Sequence, residues 1–401
     1  MSVASSASPT GTGPLSGLRV LAVEQAVAGP LCTRHLADLG AEVIKIERPG
    51  GGDFARYYDT SVKGLSSYFV WLNRGKRSLT LDLKQPAARD VLERLISQSD
   101  VLVQNLGPGA IERLGFAPER LRRDYPSLVI TMISGYGPTG PFAERKAFDL
   151  LLQGETGVIA TTGNGDELAK LGISVGDCGA AVYATIGTLA ALYERQATGQ
   201  GRIVETSLFD ALSEWMGYPL HYTKYGGSAP ARAGVRHATV VPYGSYRCQD
   251  GGVLLAAQTE AQWRAFCAVC GHPEWETDPR YLNPPLRREH RAELEAAIDD
   301  ALGALPRAEV VRRLEAADIP FGSLNSVAEF VDHPQLVARD RWREIETPVG
   351  PIQSLLPPFD LEGATAQMGD IPEVGQHTTE VLAEVGYTAE EIQALQAAGT
   401  V

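Results

Sequence analysis

The chain has 401 residues, 44% of them hydrophobic and 21% charged, with a formal net charge of -13. That length exceeds one small core and predicts two domains, while the acidic balance argues against a general nucleic-acid binder. Five cysteines without a regular spacing argue against a disulfide scaffold and for a reducing compartment.

Residues 1–16 are rich in Ser, Ala, Thr, Gly and Pro. They carry no charged n-region and no apolar h-region, and read as a loose tail rather than a signal peptide. No run reads as long enough to span a membrane, so the expected location is cytoplasmic. Residues 18–23 read as a buried strand, Pro30 suits the first turn of a helix over 31–39, and 41–46 is the next strand. This β-α-β unit predicts an α/β fold with a parallel sheet. The connecting turn, Ala26 to Pro30, is not GxGxxG, so the dinucleotide fingerprint is absent.

Strand 41–46 runs into a glycine-rich loop that carries Arg48, at the strand end where open α/β sheets bind ligands. Arg74, Lys76 and Arg77 then crowd around Gly75 ahead of a strand over 78–83. That turn is either solvated or a phosphate site built from freed backbone N–H groups and mobile cations. Residues 86–97 predict an amphipathic helix and 101–105 a strand. Gly107-Pro108-Gly109 opens a helix carrying Arg113. Residues 128–133 predict a strand, and a helix begins at 146–149. Arg48, Arg74, Lys76, Arg113 and Lys146 thus recur at strand-to-helix connections. Together they would make an anion-binding edge suited to an extended phosphate-bearing ligand such as coenzyme A.

Asp177 precedes Val182, Ile186, Leu189 and Tyr193 at helical spacing, and Gly199 is the stop. Two roles are open to it. It is an N-cap accepting backbone N–H bonds, or a carboxylate that the helix dipole keeps ionised and small neighbours leave open, hence a covalent nucleophile. Cys178 has no neighbouring base in sequence and reads as a small packing residue. A strand over 203–208, a helix over 209–222 and a mobile Gly/Ala/Pro/Arg loop over 226–235 follow. Strands at 242–246 and 253–257, with helices after them, predict a second α/β or α+β region. Cys267 and Cys270 form a CxxC that reads as one buried helix face, not a metal site. A Pro-containing strand pattern at 342–358 and a helix pair at 377–398 complete the chain.

Several blocks in order resemble the class III CoA-transferases, the family of formyl-CoA transferase and carnitine CoA-transferase. They include Ala28-Gly29-Pro30, Leu39-Gly40-Ala41, Glu47-Arg48-Pro49-Gly50, Asn73-Arg74-Gly75-Lys76, Gly107-Pro108-Gly109, Gly176-Asp177 and Thr198-Gly199-Gln200-Gly201. The resemblance implies a Rossmann-like large domain formed by both chain ends (17–224 and 331–401), a smaller α/β domain (225–330) and an interlocked homodimer. It implies that Asp177 is the nucleophile and carries CoA as a thioester between two mixed anhydrides. Backbone N–H groups at the helix start would steady the oxyanions. The positions matching CoA contacts are Val27, Ala28, Arg48, Leu72, Asn73, Lys76, Asn105, Arg113 and Lys146. A CoA thioester is then a substrate, with no permanently bound cofactor.

The racemases of the family need a His just before the position of Asp149. Phe148 and Ala147 stand there, which weakens an isomerase or racemase reading, and Asp149 reads as a structural helix-start residue. Within the family, the segments 146–153, 215–220 and 232–239 look most like bacterial itaconate CoA-transferases. That implies succinyl-CoA as donor and a C4–C5 dicarboxylate as acceptor, with mesaconate, citramalate or malate as alternatives. The carboxylate left free calls for a cationic partner. Arg232, Arg236 and His237 are the candidates, against a plain solvent-facing loop. The expected partners are an acyl-CoA, a small dicarboxylic acid and a second copy of the chain, with no nucleic acid and no membrane.

Overall fold

The computed structural model describes residues 13–401. Most of the tail expected at 1–16 lies outside the described residues. Its last four residues are not loose: Leu15 N–H donates to the Leu39 carbonyl at 3.0 Å and Ser16 Oγ to the Gly13 carbonyl at 2.7 Å. The chain divides into two compact units. The first holds the described residues up to Thr156, with Leu171–Met216 and Asp340–Val401; the second holds Gly157–Lys170 and Gly217–Arg339. The sequence reading gave no part of 157–170 to the second unit, because two short strands and one helical turn leave little periodicity to read.

In chain order the first unit begins with β1 (Arg19–Val23), α1 (Ala28–Asp38), β2 (Glu42–Glu47), α2 (Ser67–Asn73) and β3 (Lys76–Thr80). It continues through α3 (Pro86–Ser97), β4 (Val101–Gln104), α4 (Ala110–Arg113), α5 (Pro118–Asp124), β5 (Val129–Ser134) and α6 (Asp149–Glu155). The second unit then contributes α7 (Val158–Thr161) and the hairpin β6 (Gly163–Asn164) and β7 (Glu167–Leu168). The first unit resumes with α8 (Val175–Thr198), β8 (Ile203–Ser207) and α9 (Leu208–Trp215).

Six strands form one sheet in the order β3-β2-β1-β4-β5-β8, and every pairing is parallel. The strand order reverses between β1 and β4. In open α/β sheets, ligands are taken at the carboxyl ends of the strands on either side of such a reversal. Leu21, Ile44, Leu79, Leu102 and Ile130 from five strands are buried in one cluster with Val91, Leu92 and Leu95 of α3.

Helix α8 is the longest at 24 residues and ends at Gly199, whose φ of 69° suits glycine at a helix stop. It is long and apolar enough, by length and composition only, to cross a membrane, and about half of its apolar stretch is buried. This corrects the sequence expectation. The run is built from Ala, Gly and Thr, whose small side chains pack into the sheet layer rather than advertise an apolar span. Ile186 and Tyr193 remain exposed on its other face, at 55% and 79%.

The second unit continues with α10 (Gly217–Gly226), β9 (Tyr243–Cys248), β10 (Gly251–Ala256), α11 (Glu260–Cys270), α12 (Pro284–Glu289), α13 (Arg291–Gly303) and α14 (Arg307–Ala316). β11 (Phe321–Gly322), α15 (Val327–Val331) and α16 (Pro334–Ala338) follow. The helix expected over 209–222 is two helices, since α9 ends at Trp215 and α10 starts at Gly217. β9, β10 and β11 make an antiparallel sheet. Its core holds Tyr246, Val253, Phe266, Ile298 and Leu314, with Cys267 and Cys270 buried among them.

The first unit closes with β12 (Trp342–Ile345), β13 (Ile352–Leu355), α17 (Thr378–Glu384) and α18 (Ala389–Ala397). These last helices lie against β3: Thr80 N–H donates to Thr378 Oγ1 at 3.1 Å, and Ser78 N–H to His377 Nδ1 at 3.2 Å. Val381 and Leu382 enter the same core as Leu79.

Candidate active site

Asp177 is the third residue of α8, and its carboxylate does not cap the helix. The cap comes from Asp149, the first residue of α6. Asp149 Oδ1 accepts the Gly176 N–H at 2.7 Å and the Asp177 N–H at 3.4 Å, while Asp149 Oδ2 accepts from Gln153 Nε2 at 2.7 Å. Among the described residues no hydrogen bond reaches the Asp177 carboxylate. Burial, and then the like charge of Asp149, push its carboxyl up to about 7. The expectation of a fully ionised group is therefore corrected. The favourable dipole of a helix start is a weaker effect than loss of water plus a neighbouring anion. A carboxylate of such basicity is a better nucleophile than an ordinary one, and half of it is ionised near neutral pH.

Three further expectations change at this helix end. The N–H groups of Gly176 and Asp177 are taken by Asp149, and that of Cys178 donates to the Ser174 carbonyl at 2.9 Å. They do not form a free oxyanion hole. Nor do the small residues stand open for a ligand. A Cβ on Gly176 would meet Asp149 Oδ1 at 3.1 Å, and one on Gly179 would meet the Trp215 ring at 3.2 Å. Close packing on α6 and α9 demands glycine there. Cys178 is half-buried, and burial followed by the Asp177 charge pushes its thiol up to about 11, which leaves it protonated.

The β1–α1 connection follows the carboxyl end of β1, beside the switch in strand order. Asn105, at the end of β4, accepts the Gln25 N–H at 2.9 Å and donates to the Gln25 carbonyl at 2.8 Å. Asp53 Oδ1 accepts the Ala26 N–H at 3.1 Å and so holds Ala26 at a φ of 63°, a conformation that non-glycine residues rarely adopt. Val27 and Ala28 are buried behind this loop.

Beneath it lies a chain of buried charges that the sequence reading missed. Lys45 on β2 reaches Asp53 at 2.9 Å and Glu24 at 3.4 Å, and Lys76 reaches Glu24 at 2.7 Å. Burial raises the Glu24 carboxyl, but Lys76 and Lys45 more than reverse this and hold it below its ordinary value. Burial pushes Lys76 down to about 8, against the pull of Glu24. The signal was present: a lysine inside the apolar strand 41–46 has to be paired.

The reading of Arg74 and Lys76 as mobile cations of a phosphate turn is corrected. Lys76 is a strand residue whose Nζ is used by Glu24, the Pro30 carbonyl and Asn73 Oδ1. Arg74 is buried and forked onto Asp38 at 2.8 and 2.7 Å. Leu72 and Asn73 are fully buried as well. Arg48, Arg113 and Lys146 are exposed; Arg48 Nε donates to the Gly52 carbonyl at 3.0 Å and Arg113 Nη2 to the Pro108 carbonyl at 3.0 Å.

Arg232, Arg236 and His237 all lie in the second unit. Arg236 and His237 line a cavity of about 420 Å³ together with Tyr243, Leu254 and Phe321. Arg236 is already neutralised, by Glu295 at 2.7 Å and Asp299 at 2.6 Å. It is not a free partner for a substrate carboxylate. His237 Nδ1 accepts the N–H groups of Thr239 and Val240 at 3.2 and 3.1 Å, and the ring stacks on Tyr243 at 5.0 Å. Arg232 is partly exposed and donates to the carbonyls of Gly165 and Ala160 at 2.7 and 3.1 Å.

The parallel sheet of crossover-connected strands, with an unbonded aspartate at a helix start, is an architecture of α/β enzymes. Comparison with known proteins makes this specific: the model of CoA-transferase family III matches residues 15–378, and the chain belongs to that family. It is 36% identical to an acetyl-CoA:oxalate CoA-transferase of Acetobacter aceti over 82% of this chain and 85% of that protein. It is 33% identical to a formyl-CoA:oxalate CoA-transferase of Rhodopseudomonas palustris over 97% of both chains. The crystal structure of a CaiB/BaiF family protein from Brucella suis superposes with a TM-score of 0.82 at 30% identity, covering 93% of this chain and 99% of that one. The protein is thus a CoA-transferase and takes CoA thioesters as substrates.

Proposed function

We propose that this protein moves CoA from an acyl-CoA donor to a small dicarboxylate through a covalent thioester on Asp177. The observation that carries the reading is the Asp177 carboxylate, free of hydrogen bonds while Asp149 secures the helix end. The Asp177 oxygen attacks the thioester carbonyl, the C–S bond breaks, and a mixed anhydride and CoA thiolate result. The thiolate then attacks the aspartyl carbonyl carbon, and the donor acid leaves with the anhydride oxygen. The acceptor carboxylate attacks the aspartyl thioester and releases the thiolate, which finally attacks the acceptor acyl carbon and returns the Asp177 carboxylate. Each step exchanges one activated acyl group for another, so the energies stay close.

CoA is assigned to the crevice between β1 and β4. Val27, Ala28 and Asn105 line its base, and Arg48, Arg113 and Lys146 are the exposed cations for its phosphates. Lys76, Leu72 and Asn73 support the loop from beneath. The apolar residues exposed on α8 support a homodimer in the manner of the family resemblance.

For the acceptor, the sequence resemblance favours itaconate or a related C4–C5 diacid with succinyl-CoA. The names of the curated relatives favour oxalate, with formyl-CoA or acetyl-CoA as donor. One panel separates the two: succinyl-, formyl- and acetyl-CoA against oxalate, itaconate, mesaconate, citramalate and malate, with products read by mass. Hydroxylamine trapping of the Asp177 thioester, from acyl-CoA alone, tests the covalent step. An Asp177→Asn protein that turned over at the parental rate would end the reading.

A further inference from the structure

The β1–α1 connection is held from both sides. On one side Asn105, at the end of β4, accepts the Gln25 N–H and donates to the Gln25 carbonyl. On the other, Asp53 Oδ1 accepts the N–H of the next residue, Ala26, at 3.1 Å. Asp53 is buried and is itself tied to β2. Its own N–H donates to Glu47 Oε1 at 2.8 Å, and its Oδ2 accepts from Lys45 Nζ at 2.9 Å. Its Oδ1 also accepts the Ala55 N–H at 2.9 Å, which secures the turn that follows. One residue thus joins β2 to the backbone that leaves the carboxyl end of β1.

Ala26 has a φ of 63°, in the left-handed region that an alanine enters only at a cost. Without a partner for its N–H it would return to negative φ. Helix α1 starts two residues on, after Val27, and among the described residues no side chain caps its first N–H groups. The turn at Ala26 therefore sets the direction in which α1 departs and where those N–H groups face. Neutralising Lys45 does not require the Ala26 contact, because that task falls to Oδ2. The two oxygens divide the work: Oδ2 satisfies the buried lysine, and Oδ1 shapes the connection.

We propose that Asp53 is a positioning residue for the CoA thioester, which holds Ala26 in the left-handed conformation and so keeps the start of α1 in place for CoA. This rests on the assignment of CoA to the carboxyl ends of β1 and β4, where sheets of this kind take ligands. Asp53 acts through the Ala26 backbone and not by contact with the reacting atoms. A connection that relaxes away from its binding shape weakens CoA by the fraction of time it is out of place.

The test measures KM for acyl-CoA, and the thioester trapped by hydroxylamine at saturating acyl-CoA. Asp53→Ala is made in the parent and in an Ala26→Gly background. In the parent, loss of the Oδ1 contact should raise KM by about tenfold, the factor that matches the cost of a left-handed alanine. The thioester trapped at saturation should stay near the parental amount. Glycine takes positive φ without that cost, so in the Ala26→Gly background Asp53→Ala should raise KM by only about twofold. A role confined to neutralising Lys45 predicts equal losses in the two backgrounds, and that result would overturn the inference, as would an unchanged KM in Asp53→Ala. If the unpaired Lys45 keeps Asp53→Ala from folding, Lys45→Met is added throughout and the same comparison decides. Arg113→Glu, an exposed change at the end of α4, reports on the CoA assignment alone. If it leaves KM for acyl-CoA at the parental value, that assignment fails and this inference with it. If Arg113→Glu raises KM and Asp53→Ala does not, the inference falls and the assignment stands.

Discussion

Asp149 and Asp177 divide one task that a single aspartate at a helix start usually performs alone. Asp149 satisfies the orphan N–H groups of α8, and Asp177 keeps its oxygens unbonded. In the proposed mechanism only the ionised carboxylate attacks, so kcat/KM should rise with pH through about 7, the value to which burial and Asp149 push Asp177. Replacing Asp149 by Asn removes the like charge and keeps an amide oxygen for the cap, so the acid limb should move to lower pH. An unmoved limb in a pH-rate profile would assign it to another group. The same shift affects stability. A carboxyl raised in the folded state favours folding below its unfolded value near 4 and loses that contribution as pH rises through about 7. Asp177→Asn should therefore unfold at a higher temperature than the parent at pH 8, by about 2 °C. The difference should vanish towards pH 4 in calorimetry, while the variant forms no thioester. The sequence pointed to Asp177 but not to its partner, since Asp149 is distant in the chain and nothing local links the two. The buried ion pairs were equally hidden. Arg74 and Lys76 look like surface cations until Asp38 and Glu24 are placed opposite them.

Helix α8 depends on its glycines for proximity rather than for flexibility. A Cβ on Gly187 would lie 2.5 Å from Val204 Cγ1 of β8, and one on Gly179 would press on Ala211 and Trp215 of α9. Gly187→Val should destabilise the protein by about 2 kcal/mol through overpacking, read as a lower denaturation midpoint with an unchanged slope. The strand β2 carries a second liability. Glu24→Gln would leave Lys45 and Lys76 short of a carboxylate in the interior and cost about 3 kcal/mol in the same measurement. Elements with strong periodicity, such as α3 and β4, were legible within a residue, whereas β3 begins two residues and ends three residues earlier than expected. The break between α9 and α10 was not, because Trp215, Met216 and Tyr218 continue the apolar pattern across it. The single-turn helix α7 and the β6–β7 hairpin were missed for want of length, whereas the equally short α4 was marked by the glycines that open it.

At the scale of the molecule, the α/β class and the parallel sheet followed from the alternation of apolar strands with helices over the first half of the chain. The strand order did not, for it is set by long-range packing. The proposed homodimer would bury the apolar residues left exposed on α8. Ile186→Glu combined with Tyr193→Glu should shift the sedimenting species towards the monomer, and an unchanged sedimentation coefficient would place the subunit contact elsewhere. The joining of Val381 and Leu382 to the core beneath β3 has a consequence for biosynthesis. The flank of the sheet formed by β3 emerges from the ribosome early, and its covering helices emerge last. Until then the core around Leu79 lacks Val381 and Leu382, and apolar surface left uncovered in this way favours aggregation. A chain cut short before Thr378 should accumulate as insoluble aggregates in the cell, even though every residue of the crevice has been made.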